Sequence, residues 1–110
     1  MANPSFNLRT LMDSHKLVGN NFISWRRNLR IVLRSERIGF TIEEPYPAAP
    51  TEKATEDVWE KYRTSVRQYE LAQCVMLSSL LDELQRQCEN MNSYDMMLHL
   101  QILFEGQALA

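Results

Sequence analysis

The chain has 110 residues, 45% of them hydrophobic and 24% charged, with a formal net charge of -2. That is the composition of a soluble globular protein with one core, and it excludes an intrinsically disordered chain. No apolar run approaches the roughly 20 residues needed to span a bilayer, the opening MANPSFNLRT predicts no signal peptide, and only three glycines leave long unbroken segments that favour helices over a many-turned β fold.

Charge is unevenly spread. Residues 1–38 carry seven Lys/Arg and two acids, whereas residues 39–110 carry five Lys/Arg and twelve acids. Such polarity favours head-to-tail contact between copies or reflects surface solvation.

The N-terminal segment, 1–20, predicts a short helix. Ser5 is its N-cap, and Phe6, Leu8, Leu11 and Met12 supply loose apolar spacing. Gly19-Asn20 then punctuates the chain. A helix is predicted over 21–38, where Phe22, Trp25, Leu29, Val32 and Leu33 share an arc of roughly 100°. Asn20 or Asn21 is expected to cap its start, and Gly39 to take the left-handed position after its last turn.

Residues 40–53 form a proline-rich loop, since Pro45, Pro47 and Pro50 lack backbone donors and bias their predecessors to extended conformations. The P-x-x-P from Pro47 to Pro50 reads as a connector in preference to a ligand for a proline-recognising domain. A second helical region is predicted over 54–88, starting near Thr55. Trp59, Tyr62, Val66, Tyr69, Met76, Leu77, Leu80 and Leu84 fall on one side of its wheel. From Leu71 to Leu81 the other side turns apolar as well, which places that part centrally. The region is long for a globular helix, so a break is predicted near 78–82. ENMNS is a turn, and Ser93 is expected to cap a last helix over 93–106, with Asp95 in its first turn and Gly106 after its end. Apolar residues cover most of that wheel, so the helix is either deeply buried or half of an interface. These elements describe one all-α domain over 1–110, a compact bundle of four or five helices.

Catalytic, metal and cofactor signatures are not legible. The sequence has no G-x-S-x-G, P-loop or G-x-G-x-x-G. His99 sits on a largely apolar helix and reads as a packing residue; His15 is the only other histidine. Cys74 and Cys88 have no paired Cys or His to complete a four-ligand site, and they are most simply reduced thiols. Glu43-Glu44 and Asp82-Glu83 are adjacent in sequence, so on a helix their side chains diverge. Trp25, Trp59, Tyr62 and Tyr69 read as core residues, because stacking platforms for bases must be exposed. Met91, Met96 and Met97 are gap-fillers or an adaptable contact surface.

Arginines are the best functional candidates. Arg26, Arg27, Arg30, Arg34 and Arg37 fill one arc beside the core face of the 21–38 helix. A co-facial strip of this kind suits phosphates, an acidic protein partner or plain solvation of an apolar flank. Glu43 and Glu44 follow closely enough to neutralise part of it.

Within the same stretch, Leu17, Gly19, Asn21, Phe22, Trp25 and Arg26 spell L-x-G-x-N-F-x-x-W-R. This resembles the motif that opens the capsid region of Gag polyproteins of copia-type LTR retrotransposons. The later blocks VWEKYRTSVRQYELAQCVMLSSLLDEL, which carries Trp59, and SYDMMLHLQILFEG are similar to the family's next two helical blocks in order. The family often has Trp where Met96 or Met97 stands. The resemblance implies an all-α capsid N-terminal domain, not an enzyme, that assembles with copies of itself into a cytoplasmic virus-like particle around element RNA. It implies no cofactor and no membrane, and it places a capsid C-terminal domain and an RNA-binding zinc knuckle downstream. The source is either an element's Gag or a host gene derived from one.

Overall fold

Phe22, Trp25, Leu29, Val32 and Leu33 recur at helical spacing, and all five are buried on one face of helix α2 (Phe22–Ser35). The computed structural model describes residues 9–105. Among these, α2 is joined by α1 (Arg9–Ser14), α3 (Glu56–Ser78), α4 (Asp82–Cys88) and α5 (Ser93–Leu100). A 3-10 turn, Gly39–Ile42, follows α2, and α5 continues into a π-helical turn, Gln101–Glu105. There is no β-strand among the described residues. The fold is therefore an all-α small bundle, as the apolar periodicity predicts. One core joins the α2 face to Met12, Leu17, Ala72, Val75, Met76, Leu80, Cys88, Met96, Met97 and Leu100. Each large apolar side chain taken fully from water here stabilises the fold by roughly 1.5–3 kcal/mol. The expected residues Ser5, Phe6, Leu8 and Gly106 lie outside the described residues.

Helix ends depart from the sequence expectation in instructive ways. α2 stops at Ser35, and the left-handed residue after it is Arg37 (φ 63°), not Gly39. The Ile38 N–H reaches the Leu33 carbonyl at 2.8 Å and the Arg37 N–H reaches the Arg34 carbonyl at 3.0 Å, which is a Schellman closure. The reversal returns Ile38 to the core, where it is buried. That gain offsets the cost of placing a residue with a Cβ in the left-handed region, about 1–2 kcal/mol. Asn21 precedes α2, but its side chain caps no first-turn N–H. It accepts from the Val18 N–H and donates to the Lys16 carbonyl, both at 2.9 Å, so it ties the turn before the helix. At α5 the cap is Asn92, whose side chain accepts from the Asp95 N–H at 2.9 Å. Ser93 is instead buried and donates to the Thr41 carbonyl at 2.7 Å, fastening α5 to the 3-10 turn.

α3 begins as the sequence suggests, with the Thr55 hydroxyl accepting from the Val58 N–H and acids in the first turn. Its buried residues are Tyr69, Ala72, Val75 and Met76, so the turns before Tyr69 bury nothing. Trp59, expected in the core, is half-buried and lies outside the core cluster, edge-on to Tyr62 at 5.8 Å. The buried face of α3 combines Tyr69 and Met76 from the predicted side with Ala72 and Val75 from the other, so it is turned away from Trp59, which sits at its margin.

α3 and α4 are separated at Ser79, Leu80 and Leu81. This break docks on the link between α1 and α2. The Leu17 N–H reaches the Ser79 carbonyl at 2.9 Å, and the Lys16 ammonium reaches the Ser78 carbonyl at 2.7 Å. Inside, the Trp25 indole N–H donates to the Ser79 hydroxyl at 3.0 Å, which in turn donates to the Met76 carbonyl at 2.7 Å. Fully buried Ser79 thus joins two parts of the chain far apart in sequence.

Candidate interaction surface

The motif residues from Leu17 to Trp25 all serve one device. Gly19 has φ 99°, a conformation that L side chains rarely adopt, and Phe104 packs over it. A Cβ there would sit 3.6 Å from the Phe104 ring, so the backbone angle rather than space requires glycine. Phe22 stacks between Trp25 and Phe104, with centroids at 6.0 and 5.9 Å. Leu17, Phe22, Trp25 and Leu29 are all buried. These side chains position α2; they do not meet a partner directly.

The five arginines divide. Arg26 turns inward, pairs with Glu105 at 3.3 Å and sits 5.4 Å from the centroid of the Phe22 ring. Arg37 leaves the strip's helical register, because α2 ends before it. Arg27, Arg30 and Arg34 remain co-facial and exposed. Among the described residues, Arg27, Arg30, Arg34 and Arg37 make no ion pair. Ile23 and Ile31, each 45% exposed, share this outer side of α2. Arg30 and Arg34 border a surface hollow of about 490 Å³ with Gly39, Phe40 and Glu43. A Cβ on Gly39 would come within 3.2 Å of the Arg34 stem, so the small residue lets that stem lie close. Glu43 reaches the rim of the hollow without closing an ion pair.

A second hollow, about 290 Å³, is lined by Tyr46, Tyr69, Glu70, Gln73, Asn90, Met91 and Asn92. The Tyr69 hydroxyl donates to the Glu44 and Pro45 carbonyls at 2.8 and 3.0 Å, which pins the proline loop to α3. Tyr46 lies edge-on to Tyr69 at 5.3 Å, and Tyr69 lies edge-on to Phe40 at 5.8 Å. Burial first, then the nearby Tyr62 and the Glu70 carboxylate, raise the Tyr46 phenol above its ordinary pKa. Burial and then Glu44 do the same to Tyr69. Neither Glu44 nor Glu70 has an ion-pair partner among the described residues. By contrast, Glu56 and Glu60 on the same helix pair with Arg63, and its hydrogen bond holds the Glu60 carboxyl below the usual range.

The sequence pattern marks Tyr69 as buried but carries no signal for this hollow, because its walls come from the proline loop, α3 and the turn before α5. His15 and His99 have local partners, the Leu11 carbonyl at 3.0 Å and the Gln87 side chain at 3.4 Å. Cys74 is exposed and Cys88 buried, both as free thiols, and burial pushes the Cys88 thiol up. Among the described residues no group of three metal-ligating side chains comes together, and no helix is long and apolar enough to cross a membrane. No family model, curated protein or solved structure matches this chain.

Proposed function

We propose that this chain is a structural self-assembly module of the kind that opens the capsid region of copia-type retrotransposon Gag. The observation that carries the reading is the run from Leu17 to Arg26. Its motif residues act together as a Gly19 turn, an Asn21 tie, the buried Phe22 and Trp25 and the inward Arg26. A motif whose members share one structural task is more informative than a chance match in composition. The exposed Leu98 and Ile102, one turn apart on the last helix, and the unpaired arginines add apolar and charged surface suited to repeated contacts. In this reading copies of the chain build a cytoplasmic virus-like particle around element RNA. RNA itself is held mainly by regions downstream. Negative-stain microscopy and light scattering of the chain joined to the reading frame that follows it test the proposal. Particles are expected; their absence at every salt and protein concentration refutes it.

A second reading, a small Gag-derived module that binds RNA or a host protein, is favoured by the unpaired arginines. If RNA sits on the four exposed arginines, log affinity falls against log salt with a slope of about -3 for single strands. A flat response removes RNA from the reading.

A further inference from the structure

We propose that a second copy of this chain seats its Arg30 and Arg34 in the hollow bounded by Tyr46, Tyr69 and Glu70, and that the contact repeats about a two-fold axis. The inference rests on the self-assembly reading above and assigns it a specific surface.

Three observations lead there. First, Arg27, Arg30 and Arg34 are exposed and lack an ion pair among the described residues, although residues 39–110 carry twelve acids. Among the described residues the only acid beside Arg30 and Arg34 in their hollow is Glu43, and it closes no ion pair with them. Second, Ile23 and Ile31 lie on the same outer side of α2. A phosphate backbone offers nothing to bury an isoleucine, whereas a protein surface does, and arginine with apolar neighbours is the mixture enriched at protein interfaces. Third, the Tyr46–Tyr69–Glu70 hollow has the opposite character: two phenol rings with the unpaired carboxylates of Glu44 and Glu70 nearby. Tyr69 is buried and forms the floor, so a guanidinium stacks on the exposed Tyr46 ring and forks onto such carboxylates.

The positions of the two hollows set the symmetry. Phe40 lines the arginine hollow and Tyr69 lines the carboxylate hollow, and their rings are in edge contact at 5.8 Å. A basic and an acidic surface side by side make one self-complementary patch. Turned by a two-fold axis, each copy gives its arginines and receives its partner's, as an isologous contact requires.

The α5 surface and the start of α3 offer weaker alternatives. Leu98 and Ile102 form an apolar stripe, but nothing in the structure says what covers it. Near the start of α3, Glu56 and Glu60 are already paired with Arg63 and Arg67, which leaves Asp57 without a clustered carboxylate beside it.

Sedimentation velocity on the full chain tests the proposal with two charge-reversed proteins, Arg30→Glu with Arg34→Glu, and Glu44→Arg with Glu70→Arg. All four positions are exposed, and circular dichroism melts verify that each protein is folded. Wild type dimerises, and high salt weakens the dimer. Each reversed protein associates at least about tenfold more weakly. An equimolar mixture of the two restores a 1:1 complex, because each reversed face now meets its complement. A wild type that stays monomeric, or folded variants that stay monomeric when mixed, overturns the inference. So does loss of a labelled single-stranded RNA by the arginine variant with its self-association intact, which assigns the face to nucleic acid. Particles formed normally by the arginine variant overturn this contact and leave the self-assembly reading standing. Absence of particles with the dimer intact refutes that reading and leaves the contact.

Discussion

Replacing Ser79 with alanine isolates the bond between α2 and the α3–α4 break. Trp25 is 1% exposed and Ser79 is fully buried, so no water replaces the lost hydroxyl. The Trp25 indole N–H, now 3.0 Å from its partner, becomes an unsatisfied buried donor. The Ser79 backbone still accepts from Leu17, so the docking of the two segments persists. The cost is that of one orphaned buried donor, about 1–3 kcal/mol. For a domain near this size, that lowers Tm by roughly 5–20 °C. Urea unfolding followed by tryptophan fluorescence measures it, with an unchanged m-value and a lower midpoint. Ser78→Ala is the control: the neighbouring hydroxyl is on an exposed residue and bonds only the Val75 carbonyl one turn back, so its loss costs less than about 0.5 kcal/mol. In a Trp25→Phe background, Ser79→Ala loses most of its effect, because no indole donor remains to be orphaned. Equal effects of the two serine changes, or a Ser79 effect undiminished in that background, refute the argument.

Arg37→Gly raises stability by about 0.5–1 kcal/mol, since glycine adopts φ 63° without a Cβ penalty; a lower urea midpoint contradicts the Schellman reading. Gly19→Ala lowers stability by about 1–3 kcal/mol through strain at φ 99°, and an unchanged thermal melt counts against that strain. A thiol-reactive dye modifies Cys74 rapidly and Cys88 only on unfolding, and two fast thiols per native chain disprove the burial of Cys88. Cys88, Tyr46 and Tyr69 all have folded pKa values raised above their ordinary ones. Their contribution to stability is whole below the unfolded thiol and phenol values, and is lost as pH rises through the folded values. Urea midpoints that hold steady from neutral pH to about pH 11 contradict this, because unfolded thiols and phenols ionise by then.

The candidate surface was only partly legible. The 3.6-residue period separates the Phe22–Leu33 stripe from the arginines beside it, because both properties follow from local helical geometry. Nothing local says that Arg26 folds back onto Glu105 while Arg30 and Arg34 stay outward; that depends on where the end of α5 lies. Trp59 shows the limit of the wheel. Periodicity groups side chains by direction, whereas the elements packed on the helix decide which direction is buried. Gly39 shows a related limit at helix ends, where a residue suited to the left-handed position was passed over so that Ile38 returned to the core.

By itself the sequence determined an all-α chain, the buried stripe of α2 and the uneven division of charge, since each is a property of neighbouring residues and their period. Only the tertiary structure decided that Ser79, and not Ser78, answers Trp25. It likewise decided that Asn92 caps where Ser93 anchors, and that an arginine hollow lined by Phe40 and a tyrosine–carboxylate hollow lined by Tyr69 adjoin through the contact of those two rings. Those outcomes depend on contacts between residues dozens of positions apart. Such contacts form only when the whole core closes, so no local pattern carries them.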